Sequence, residues 1–247
     1  MFSATSMAGF FSRRQIRDAF VLAPSWIGLF PRVSGRTFRF SIHASVDADT
    51  RRGIDLAASD ANQKARVLGA SVEINNNGVD TAGLWGIVIG PECRVPRSSV
   101  PVVSVSPDPE RAGSSVFSIA PTAEARRAAL LAWRSTHADS AAEFQLVEWH
   151  PDLTDYGAGD LNERFALLHQ RSMTEAAWRG YFAVKALTET ALRRATASDR
   201  SRALLDAEFD GHKGTRLVFD RATRVLRQPL YVVRSRDSNL EIVGEVR

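Results

Sequence analysis

The stretch LWGIVIGP, Leu84 to Pro91, is a continuous apolar run closed by Gly-Pro. A strand with one wet face alternates apolar and polar residues, so an unbroken run belongs to a strand covered on both faces. VPVVSVSP (Val100–Pro107) has the same character, and VFSIAP (Val116–Pro121) follows it. Upstream, RTFRFSIHAS (Arg36–Ser45) alternates at Phe38, Phe40 and Ile42. SVEIN (Ser71–Asn75) is a further strand, closed by the turn-forming Asn75-Asn76-Asn77-Gly78.

Between the first two strands lies a helix. Asp47 is placed to cap it, its apolar face runs Ile54, Ala57, Ala58, Ala61, Ala65 and Leu68, and Gly69 stands where a terminator belongs. Thr122 caps another helix, to about Arg134. Apolar strands alternating with helices predict an α/β fold around a parallel, Rossmann-like sheet. Ligands in such sheets gather at the carboxyl ends of the strands, here His43–Val46, Gly90–Cys93 and Ser104–Ser106.

Downstream, HADSAAE (His137–Glu143) is a small, polar joint. A strand follows at Phe144–Val147, then a helix around Asp160–Gln170 and a longer one from Thr174 to about Arg194. Ala177, Tyr181, Val184, Leu187 and Ala191 form its core stripe, and Trp178 and Phe182 read as packing rather than as a cofactor box. Near the end, FDGHKGTRLVFDRATRVLRQPLYVV (Phe209–Val233) contains Gly-His-Lys-Gly, without the spacing of a phosphate loop and with a strand after it. It predicts a C-terminal β-hairpin in which TRLVF goes out, DRATR turns and VLRQPLYVV returns, with His212 and Lys213 as exposed turn residues.

Composition narrows function. The pI of 9.7 invites nucleic acid, but the formal net charge is only +4 and its carriers are scattered. The pairs Arg51-Arg52, Arg126-Arg127 and Arg193-Arg194 sit on helices as solvated faces, and no basic run is interleaved with aromatics, so no nucleic-acid partner is expected. One cysteine, Cys93, excludes an internal disulfide. The five histidines never fall at ligand spacing, so neither a metal site nor a cofactor is expected. Cys93 with His43 or His150 could pair as nucleophile and base, as could Ser45 or Ser104. No Gly-x-Ser-x-Gly elbow exists, however, and Cys93 lies in an Arg/Pro-rich loop, so the expectation is not an enzyme and no catalytic residue is assigned.

At the amino terminus Ser12-Arg13-Arg14-Gln15-Ile16, followed by an apolar stretch from Ala19 to Phe30, reads as a twin-arginine-like export signal over residues 1–35. The alternative is an amphipathic helix. An exported chain would work in the periplasm.

Phe209, Gly211, Gly214 and Phe219, spaced Phe-x-Gly-x-x-Gly-x-x-x-x-Phe, resemble within one residue the Phe-x-Gly-x-x-Gly-x-x-x-Phe stretch that closes type I periplasmic solute-binding proteins, and the chain resembles that family. RRGIDLAASDAN (Arg51–Asn62) is similar to its first helix and IVIGP (Ile87–Pro91) to its third-strand signature. LNERF (Leu161–Phe165) and MTEAAWRGYFAVKALTE (Met173–Glu189) resemble the subgroup associated with PQQ-dependent alcohol dehydrogenases. The resemblance covers most of residues 36–234. It divides the chain into an α/β lobe in two parts, 36–136 and 144–234, a joint at 137–143 where a second lobe is missing, and a polar tail, 235–247. It implies a substrate-binding component of an ABC transporter. The partners implied are a small-molecule solute, the transporter's membrane components and a periplasmic dehydrogenase. Family position puts ligand contacts at Ser45, Glu92, Ser104 and Ser106, although Glu92-Cys93-Arg94 replaces the usual serine cluster. Strand-end capping is the other reading of these serines, and a one-lobed scaffold without a ligand is the other reading of the whole chain.

Overall fold

A computed structural model describes residues 35–43, 46–75, 83–91, 98–106, 115–137, 143–194, 196–236 and 239–247. The stretch read as an export signal, apart from Gly35, lies outside them. In chain order the first elements are β1 (Thr37–His43), α1 (Ala48–Val67), β2 (Ser71–Asn75), β3 (Leu84–Ile89), β4 (Val102–Ser104) and β5 (Val116–Ser118). Next come α2 (Ala123–Thr136), β6 (Phe144–Val147), α3 (Ala158–His169), α4 (Glu175–Arg193) and α5 (Arg200–Leu205). The chain closes with β7 (Phe209–Asp210), β8 (Arg216–Phe219), β9 (Leu226–Arg227), β10 (Leu230–Arg236) and β11 (Asn239–Val246).

The first five strands make one parallel sheet in the order β2-β1-β3-β4-β5. The order reverses between β1 and β3, the switch point of a doubly wound sheet. All six residues of β3 are buried, as its unbroken apolar run requires. Trp85 is an extra residue there, because Arg39 faces Leu84 while Phe40 faces Gly86. Trp85 and Val88 join the main core, whereas Leu84, Ile87 and Ile89 pack with Val100, Val102 and Val116 in a second cluster.

Helix α1 begins where expected: the Asp47 carboxylate accepts from the amides of Asp49 (2.9 Å) and Thr50 (2.8 Å). It lies against α4 with almost no side chain between them. A Cβ on Gly53 would stand 1.8 Å from the carbonyl oxygen of Ala177, and one on Gly180 would stand 2.2 Å from that of Thr50. The predicted stripe on α4 underestimates its burial, since every residue from Gly180 to Leu192 is buried. Its polar members are satisfied within the helix: Lys185 reaches Glu189 (2.7 Å), and the Thr188 and Thr190 hydroxyls donate to carbonyls one turn back.

A second, antiparallel sheet has the order β11-β10-β6. Its core, Phe144, Leu146, Leu230 and Val232, packs under Trp133 of α2. Two sequence readings change here. VLRQPLYVV is not one returning strand: it breaks at Gln228-Pro229, leaving β9 beside β8 and β10 in the other sheet. Pro229 explains the break, having no amide for a ladder. The stretch read as a polar tail contains β11, whose Ile242, Val243 and Val246 are half-buried.

The chain crosses between the two sheets three times. It leaves β5 through residues 119–122, returns after β6 through 148–157, and crosses again at Gln228-Pro229. The β7-β8-β9 sheet stays with the first unit, with Phe219 edge-on to Phe117 of β5 at 5.1 Å.

Candidate functional site

The site begins at the carboxyl ends of β4 and β5. Parallel pairing aligns Ser104 with Ser118, and the chain's turn after β4 brings Ser106 back beside them. All three are buried. The Ser106 amide donates to the Ser104 hydroxyl (3.1 Å), and the Ser118 hydroxyl donates to the carbonyls of Ser106 (3.2 Å) and Ala120 (2.9 Å). Of the four residues expected to contact a ligand, Ser104 and Ser106 are thus brought together. Ser45, Glu92 and Cys93 lie outside the described residues.

From these strand ends a polar network runs across all three crossings. The Gln228 amide nitrogen donates to the Ile119 carbonyl (2.9 Å) and to Glu148 (3.3 Å), and its oxygen accepts from Lys213 (2.6 Å). Glu148 is wholly buried. Arg179 grips it through Nε and Nη2 at 2.8 to 3.2 Å, and Arg126 bonds both Glu148 and Glu175. Arg179 also meets Glu175 one turn earlier on α4. Arg126 further donates to the Leu146 carbonyl (2.9 Å), which ties α2 to the end of β6.

Lys213 corrects the sequence reading most sharply. Expected as an exposed turn residue, it is 1% exposed. His212 and Gly214, on either side of it, have φ of 59° and 69°, and the His212 amide donates to the Asp210 carboxylate (2.9 Å). That turn aims the lysine inward, with Nζ 4.0 Å from the Trp178 ring centre and 5.5 Å from that of Tyr231, and a second bond to the Pro229 carbonyl (3.2 Å). His212 is half-buried rather than exposed, beside Tyr181. Trp178 is a packing residue, stacked between Trp149 and Phe182, and it is also the floor beneath the ammonium.

Burial dominates the electrostatics. It pushes the Glu148 carboxyl up against the pull of Arg179 and Arg126. It also brings Lys213 down to about 7, despite the favourable fields of Glu148 and Glu175. Glu175, less enclosed, is held below the usual carboxylate range: burial opposes its charge, and Arg179 and Arg126 outweigh that. The described residues contain no group of three His, Cys, Asp or Glu able to hold a metal. His150 Nδ1 accepts from the Asp152 amide (3.2 Å).

Sequence reasoning missed Glu148, Gln228 and the true place of Arg126, which had been read as part of a solvated helix face. Only the Glu175/Arg179 spacing of one helical turn hinted at a pair. The other contacts join residues tens of positions apart.

No family model matches the chain, and no curated protein does. Solved structures do. An ABC transporter substrate-binding protein from Desulfitobacterium hafniense, in complex with Leu, is 14% identical over 84% of this chain and 99% of its own, with a TM-score of 0.64. A branched-chain amino acid transporter substrate-binding protein from Streptococcus pneumoniae, with isoleucine, is 12% identical over 85% and 99%, at 0.56. A solute-binding protein of an ABC transporter from Rhodopseudomonas palustris, with 3,4-dihydroxybenzoic acid, is 11% identical over 85% and 97%, at 0.54.

The chain has the fold of a type I periplasmic binding protein. At such identities the likeness is one of fold. The three crossings join the five-stranded parallel sheet to the small β11-β10-β6 sheet, on which α2 packs. No helix among the described residues is long and apolar enough to cross a membrane.

Proposed function

We propose that the chain is a non-enzymatic, periplasmic solute-binding component of an ABC transporter. It holds a small solute at the loops leaving β1, β3 and β4, through Ser45, Glu92, Ser104 and Ser106. The observation that carries this reading is the cluster of Ser104, Ser106 and Ser118 at the carboxyl ends of β4 and β5 in a parallel sheet, in a fold whose solved examples hold amino acids and aromatic acids. Its partners are the transporter's membrane components. The narrower link to PQQ-dependent alcohol oxidation, with a periplasmic dehydrogenase as neighbour, rests on the sequence resemblance alone.

A thermal unfolding scan against amino acids, alcohols, aldehydes, organic acids and PQQ tests the reading. A ligand at 100 times its dissociation constant adds about 2.7 kcal/mol of stability, a clear rise in midpoint. Ser104→Ala should weaken that rise. A cooperative transition that no compound moves would sink the proposal.

One observation favours a second reading, a one-lobed scaffold that docks a neighbouring enzyme or transporter and takes no solute. The Ser104 and Ser118 hydroxyls already have partners within the chain. Recovery of a stoichiometric partner from native extract, with no ligand shift, would support it.

A further inference from the structure

Lysine is scarce in this chain: of 32 Lys and Arg residues only Lys64, Lys185 and Lys213 are lysine, which leaves 29 arginines. Lys64 and Lys185 share one carboxylate, Glu189, at 3.1 and 2.7 Å. Lys213, the most buried of the three, has no carboxylate bonded to it. Its partners are the neutral oxygens of Gln228 and Pro229. The nearby carboxylates Glu148 and Glu175 are already matched by the guanidiniums of Arg126 and Arg179. A charge on Lys213, itself 1% exposed, is therefore the odd cation in an otherwise balanced cluster. An uncompensated buried charge is costly, and the faces of Trp178 and Tyr231 offset only part of that cost. An arginine in this position would remain charged; a lysine can give up its proton.

What Lys213 holds is the meeting point of the crossings. Gln228 and Pro229 are the third crossing, and Gln228 in turn bonds Ile119 of the first and Glu148 of the second. We propose that Lys213 and Gln228 form a proton-operated clasp on the three segments joining the two sheets, closed when Lys213 is neutral and loosened when it is charged. This goes beyond solute binding and does not depend on it.

The groups facing the amine set the range. Glu148 at the end of β6, Glu175 on α4 and Glu245 on β11 favour its charge, and Arg126 on α2 opposes it. Burial outweighs them and lowers Lys213 to about 7 from 10.5. In a loosened state that admits water the amine returns toward its ordinary value. The ratio of loosened to closed molecules then rises up to about tenfold for each pH unit lowered between 10 and 7, and levels off below 7.

Two measurements on the full chain decide it. The variant Lys64→Arg, Lys185→Arg keeps both partners of Glu189 charged and leaves Lys213 as its only lysine, so one isotope-labelled lysine signal reports the amine. Titration near pH 7 supports the clasp, and titration near 10 overturns it. Amide hydrogen exchange, corrected for intrinsic chemistry, should quicken at residues 119–122, 148–153 and 228–232 by about ten- to a hundredfold from pH 9 to pH 7. Amides of β1 and β3 should not follow. In Lys213→Met, which keeps the length of the side chain without its charge, that dependence should vanish. Its persistence would overturn the proposal.

Discussion

Glu148 has no exposure, yet it meets two guanidiniums and the amide of Gln228. Breaking the cluster from one side leaves two part-buried guanidiniums sharing the single carboxylate of Glu175, so Glu148→Leu should lose about 3–5 kcal/mol in chemical denaturation. Glu73→Ala, which removes the exposed partner of Arg39, should change stability by less than about 1 kcal/mol. The same measurement on both variants checks the contrast, and equal losses would mean that the cluster is not as enclosed as it stands here. None of this was legible in the chain. Glu148 follows the strand FQLV like any strand-end carboxylate, and Lys213 sits between glycines like any turn lysine. The burial of Lys213 comes from a turn with left-handed residues on either side of it, His212 and Gly214, and from aromatics contributed by α4 and β10. Pattern along the chain carries no trace of such meetings.

Elements were legible where their reason is local. Unbroken apolar runs gave away β3 and β4, and Asp47, Thr122 and Thr174 accept the amides of the turns they begin. What was hidden is how elements meet. Gly53 and Gly180 look like helix weaknesses, but they are where α1 and α4 touch backbone to backbone. Gly180→Ala should therefore destabilise by about 1–3 kcal/mol or more, although alanine is the better helix former. A thermal midpoint that rises in Gly180→Ala would contradict the close approach. Strand β11 was hidden for another reason: Glu241 and Glu245 give it a polar look, while Gly244 lets Trp133 come within 2.9 Å of where a Cβ would stand. Deleting residues 238–247 strips β10 of a neighbour and exposes half-buried Ile242 and Val246 contacts. The loss should be on the order of 3 kcal/mol, read as an earlier thermal transition.

At the scale of the whole molecule, parallel order β2-β1-β3-β4-β5 places the strand-end serines on the side where ligands of such sheets gather. Stability should also carry the mark of Lys213. The folded state binds this proton less tightly, at about 7, than the unfolded chain does. Below pH 7 both states are protonated and the penalty is complete. Above it the unfolded chain holds more protons, and stability rises with pH by at most about 1.4 kcal/mol per unit until the unfolded amine also titrates. Denaturation curves at pH 7, 8 and 9 should show that slope, with Lys213→Met lacking it. The second sheet has a consequence of its own for how the chain is made. Its partner strands are far apart in sequence: Val147 of β6 pairs with Tyr231 of β10, 84 residues later. At a synthesis rate of about 5–20 residues per second, β6 waits roughly 4 to 17 seconds for its neighbour. During that interval Phe144 and Leu146 depend on α2 alone for cover, so a pause in translation between the two strands would prolong the period in which a newly made chain is most exposed to aggregation and to chaperone capture.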